Sequence, residues 1–174
     1  MTVYTFLTDP APHGYLNLKV VFTAKSENIS IQLPRWRPGR YELGNFAKNV
    51  RGFKVFDENG KKVSFLKTSK DTWLLTNVAG ATLTVQYSYY AELLNAGSTC
   101  IKPDLLYVNP VNCCVYPVGQ EQDICQVVLD VPNDWQVAGS LKNKAGDYQV
   151  ANFDELADTP FICSPTLQHD SYEV

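Results

Sequence analysis

An all-β fold, an antiparallel β-sandwich in a single domain with one or two short helical turns, is what this sequence predicts. Three observations carry the prediction. The dominant hydrophobic period is two, the runs that show it are short and bounded by turn residues, and no run of helical period lasts beyond a turn or two.

The two longest runs are the clearest. In Tyr15 to Thr23 (YLNLKVVFT), Leu16, Leu18, Val20 and Phe22 fall on one side, and in Thr82 to Tyr90 (TLTVQYSYY), Leu83, Val85, Tyr87 and Tyr89 oppose Thr82, Thr84, Gln86 and Ser88. Each reads as a strand with one buried face. Shorter runs extend the pattern: Val3 to Leu7, Ile29 to Leu33, Val50 to Phe56, Lys62 to Thr68, Thr72 to Thr76, Leu105 to Val108, Gln126 to Val131, Gln136 to Leu141 and Tyr148 to Ala151. Turn signals lie between them, among them Glu58-Asn59-Gly60, where Asn-Gly offers positive φ angles to a tight hairpin. Short strands at this spacing suit a sandwich or barrel. Helical turns are expected only at Glu42 to Lys48 and Asn152 to Ala157, and Ala91 to Pro103 is expected to be the longest irregular stretch.

Composition bounds the function. A chain of 174 residues, 45% of them hydrophobic, suffices for one closed core, and no repeat or linker divides it, so residues 1–174 read as one domain. The net charge of -3, with 15 basic against 18 acidic residues and no long run of either sign, makes nucleic acid and membrane surfaces poor partners. No run approaches the roughly 18 apolar residues that span a bilayer. The start MTVYTFLTDP lacks the basic and apolar regions of a signal peptide, so the expected compartment is the cytoplasm, with the periplasm or exterior left open for a chain whose leader has been removed. The five cysteines, an odd number without a CxxC pair, are expected to be buried free thiols.

Sequence patterns for chemistry are sparse. The two histidines, His13 and His169, sit near opposite ends without a Glu-x-x-His spacing, and no GxSxG elbow or phosphate-binding glycine loop occurs. Cys163 and His169 are near in sequence, but Pro160 and Pro165 place the thiol in a segment expected to be irregular. Asp154 and Asp158 would share a face of a short helical turn, where calcium binding and simple solvation both fit. No catalytic residue and no metal ligand is therefore assigned.

The stretch PRWRPGRYELGNF, from Pro34 to Phe46, stands apart because cationic and aromatic residues interleave around a Pro-Gly turn. Residues before a proline tend to be extended, which would turn Arg35 and Arg37 one way and Trp36 the other. Pro38 and Gly39 suit the central positions of a type II turn, from which Arg40 and Tyr41 leave in a new direction. Such a corner can offer guanidinium donors to a carboxylate beside rings that pack a peptide. It can equally plug the end of a sandwich while the arginines stay in water.

The run LPRWRPGRYELGNFAKNVRGF resembles the "W-x-PG-x-Y … FA" segment of the M61, or glycyl aminopeptidase, family of metallopeptidases, through Trp36, Pro38, Gly39, Tyr41, Phe46 and Ala47. Further similarities follow in order: Trp73, Val85 to Tyr90, Tyr107 to Pro110, the Tyr116-Pro117-Val118-Gly119 turn, Val131-Pro132, Trp135 to Ala138, and FDELADTP at Phe153 to Pro160, which is similar to the family's "YDELxDsP" element. The resemblance implies a non-catalytic, β-rich N-terminal domain. It also implies a partner, a thermolysin-like catalytic domain on the same polypeptide that would hold zinc in an HExxH helix, and a peptide substrate for the intact enzyme. On that reading this chain needs no cofactor and is inactive alone. Trp36, Arg37, Arg40 and Tyr41 are candidates for a cleft or interdomain contact. A stand-alone module binding a peptide or sugar is the alternative.

Overall fold

The structure, a computed structural model, describes residues 1–9, 13–37, 39–40, 42–141, 143–144 and 147–170, with the backbone alone at 143–144 and 147. Sixteen strands run along the described chain. They are β1 (Thr2–Leu7), β2 (Tyr15–Thr23), β3 (Ile29–Gln32), β4 (Val50–Phe56), β5 (Lys62–Val63), β6 (Leu66–Ser69), β7 (Thr72–Leu75) and β8 (Thr82–Tyr90), then β9 (Cys100–Lys102), β10 (Leu105–Val108), β11 (Tyr116–Pro117), β12 (Cys125–Asp130), β13 (Gln136–Gly139), β14 (Asn143–Lys144), β15 (Asp147–Val150) and β16 (Phe161–Ser164). Two short helices, α1 (Pro110–Cys113) and α2 (Phe153–Ala157), and a 3-10 turn at Phe46–Asn49 complete it.

The strands form three sheets. The large one runs β14-β15-β12-β1-β2-β8-β4-β5, and two four-stranded sheets run β13-β16-β10-β9 and β11-β3-β7-β6. Every pairing is antiparallel except β1 with β12. The alternation in β2 and β8 is realised in full: Leu16, Leu18, Val20, Phe22, Leu83, Val85, Tyr87 and Tyr89 are all buried, and the two strands pair over all nine residues of each.

Aromatic contacts mark where the layers meet. Phe6 of the large sheet meets Phe161 edge-on at 5.2 Å, and Phe53 stacks on Trp73 at 4.2 Å while also facing Tyr87 at 5.9 Å. This is a β-sandwich, as the period of two predicts.

Where sequence and structure differ, local geometry gives the reason. Lys62 to Thr68, expected as one strand, divides into β5 on β4 and β6 on β7, so the chain changes layer between them and Phe65 packs edge-on against Phe53. In β4 a register shift between Arg51 and Lys54 lets Val50 and Phe53, three residues apart, both pack on the core. At Glu58-Asn59-Gly60 only Gly60 has positive φ, 76°, and its N–H donates to the Asp57 carbonyl at 3.0 Å. The hairpin is thus a type I turn followed by a left-handed glycine.

Ala91 to Pro103 is not wholly irregular, because Cys100–Lys102 pairs with β10 across a two-residue turn at Pro103-Asp104. Cys163 likewise lies in a strand, since β16 is flanked by both β13 and β10 in its sheet and the prolines sit at its ends. All five cysteines are buried and unpaired, as expected. Burial pushes the Cys163 thiol up to about 11 and the Cys125 thiol up to about 12, which keeps both protonated and poorly nucleophilic. Among the described residues, no helix is long and apolar enough to cross a membrane.

Candidate functional site

Sequence alone singled out the corner after β3, and the structure shows how it is built. Backbone bonds pin both arms: Leu33 N–H donates to the Asp71 carbonyl at 2.9 Å, and Gly44 N–H to the Arg35 carbonyl at 2.8 Å. Between them Gly39 has φ 81°, and Arg40 N–H donates to the Arg37 carbonyl at 3.3 Å. These are the third-residue dihedral and closing bond of the type II turn expected at Pro38-Gly39. Pro38 and Tyr41 themselves lie outside the described residues.

The three arginines diverge. Arg35 Nε donates to Asp71 Oδ2 at 2.5 Å and its Nη2 to Ser69 Oγ at 3.2 Å, so it ties the corner to the β6–β7 turn. Burial works against the Asp71 carboxylate, but hydrogen bonds from Arg35 and Ser69 outweigh it and hold the group below the usual carboxylate range. Arg37 lies over the loop before β9, where a Cβ at Gly97 would collide with its guanidinium. Arg40 Nη1 donates to Glu42 Oε1 at 3.0 Å, an exposed ion pair of little energetic weight. Arg35 and Arg37 thus contact different segments, the β6–β7 turn and the loop before β9.

Trp36 is half exposed, and its indole N–H donates to the Arg40 carbonyl, which stiffens the turn from within. Two recesses adjoin at Pro34, which lines both. One, of about 460 Å³, is lined by Arg35, Leu43, Phe46, Ala47 and Asp71, and the other, of about 420 Å³, by Trp36, Tyr116, Phe153, Glu121, Asp154 and Asp158.

Sequence reasoning placed Trp36 here but missed Tyr116, Phe153 and Glu121 as its neighbours. Their only signal was the position of their turns, since the rings meet through packing of distant segments. Tyr116 and Phe153 lie 4.5 Å apart, held in place by β11 and by the start of α2. The α2 turn is capped by Asn152, whose side chain accepts from Glu155 N–H at 2.9 Å, while Glu155 Oε2 accepts from Ala151 N–H at 2.6 Å.

Among the described residues no group of three or more His, Cys, Asp or Glu is placed to hold an ion. His13 instead stands 3.0 Å from Glu92 at an exposed loop.

No curated protein matches the chain. Among solved structures it is similar to an aminopeptidase N family protein from Idiomarina loihiensis, with a TM-score of 0.86 and 25% identity over 94% of this chain. It spans 29% of that protein's length. A mutant M1 zinc metallopeptidase from Deinococcus radiodurans matches with a TM-score of 0.46 and 13% identity, over 94% of this chain and 41% of that one. The profile described as the Peptidase M61 N-terminal domain matches residues 4–165, which span the corner, the two recesses and all three sheets, and the chain therefore belongs to the M61 N-terminal domain family.

Proposed function

We propose that this chain is the non-catalytic N-terminal domain of a zinc aminopeptidase-like protein. In that role it packs against a catalytic domain on the same polypeptide and helps to wall the peptide cleft. The observation that carries this reading is the family match over residues 4–165, together with the 29% share of the Idiomarina structure that the chain spans. In such a protein the catalytic domain would hold the zinc.

The corner supports the packing half of the proposal. Leu43, Leu93, Leu94 and Trp36 are large apolar residues left exposed on it or on the loop beside it. A surface of that kind is built to be covered. Arg37 and Arg40, with Trp36 and Tyr41, form the candidate edge toward substrate or catalytic domain.

The test replaces Arg37 and Arg40 with alanine in the protein that carries its catalytic domain. The expected result is a several-fold fall in kcat/KM on peptide substrates with the thermal midpoint held. An unchanged kcat/KM on several peptides, at unchanged stability, contradicts the cleft assignment.

A further inference from the structure

We propose that the recess between Trp36, Tyr116 and Phe153 takes a cationic side chain, lysine or arginine, presented by a peptide ligand. This deepens the cleft-edge reading above and rests on it for the source of the peptide. The recess has about 420 Å³ of space and an aromatic lining, with Trp36 half exposed, Tyr116 partly exposed and the buried Phe153 ring backing Tyr116 at 4.5 Å. Aromatic faces attract ammonium and guanidinium groups through the ring quadrupole.

Charge around the wall has one sign. Glu121, Asp154 and Asp158 line the recess, and none of its described lining residues is a lysine, arginine or histidine. Arg35 lines the adjoining recess, where Asp71 holds it, although its charge still reaches Tyr116. Among the described residues, Glu121 accepts only the Gly119 N–H, at 3.0 Å, and the carboxylates of Asp154 and Asp158 have no partner. Burial raises the Tyr116 hydroxyl most; Glu121, Asp71 and Asp154 add to the rise, and Arg35 opposes it.

The three carboxylates do not gather into a metal-holding group. A spread of negative charge over aromatic faces suits an organic cation on an apolar stem better than a compact ion. The stem of lysine or arginine would lie along Phe153 and Ala157 while its head meets the carboxylates.

The experiment is a titration of the isotope-labelled chain with acetyl-Gly-Lys-Gly-amide and with its norleucine counterpart, followed by amide and indole N–H shifts. The lysine peptide is expected to move the Trp36 indole and the amides of Glu121 and Phe153, with binding weakened by added salt. The double variant E121Q/D154N should bind it about tenfold more weakly. Glutamine keeps the oxygen that accepts from Gly119, so the turn is preserved, and the thermal midpoint checks it. Equal shifts from the norleucine peptide, no shift at Trp36, or undiminished binding by the folded variant each overturn the proposal. The titration needs no catalytic domain, so its failure is separate from a failure of the Arg37 and Arg40 test.

Discussion

Phe53 and Trp73 lie nearly parallel, 4° apart in plane and 4.2 Å between centroids, and they join the large sheet to the β11-β3-β7-β6 sheet. Trp73 is buried at 2% exposure, so Trp73→Ala removes the ring on which Phe53 stacks and opens a cavity. The expected loss of unfolding free energy is about 3–5 kcal/mol, measured by urea denaturation. A loss of under about 1 kcal/mol would mean that the layers are held elsewhere. Asp71 makes a different prediction. Its folded pKa lies below the unfolded value, so its contribution is present above about pH 4 and is lost as pH falls through the folded value. The variant Asp71→Asn should lower the thermal midpoint at neutral pH, and the gap to the parent chain should close in acid. A gap that stays constant with pH would show that the Arg35 ion pair is not its source.

Element by element, the sequence disclosed most where a strand is long and half buried. The spans of β2, β4, β8 and β10 match their expected bounds because each alternates or is closed by strong turn residues. It disclosed least where a strand is very short and depends on partners: β9, β11 and β14 have two or three residues each, too few for a period to register. β16 carries prolines at both ends, which read as irregular chain from sequence and act as strand boundaries in the fold. The candidate site was legible in the same uneven way. The Pro38-Gly39 turn showed itself, while the recess that Trp36 lines together with Tyr116 and Phe153 depends on segments far apart in sequence. At this scale, Asn109 is the joint that holds the loop before β9. Its Nδ2 lies 3.0 Å from the Ser98 carbonyl and 3.2 Å from those of Ala96 and the Tyr107 hydroxyl, and its own N–H donates to Thr99 Oγ1 at 3.2 Å. Asn109→Ala should speed amide exchange in residues 95–99 while β2 and β8 stay protected. Uniform acceleration across the chain would instead make Asn109 a global support.

For the whole molecule, the fold and the family membership agree on an N-terminal β-sandwich, and the packing proposal turns on which face a catalytic domain would cover. The corner after β3 carries exposed Trp36 and Leu43, with Leu93 and Leu94 on the loop beside it, the diverging arginines and two adjoining recesses, so it is the face proposed to be covered. The most direct measurement compares amide hydrogen exchange in this chain alone with exchange in the protein that includes a catalytic domain. Added protection is expected in residues 34–49, 92–99 and 153–158 when the catalytic domain is present. Protection gained on the outer face of the large sheet, or none at the corner, would contradict the packing proposal.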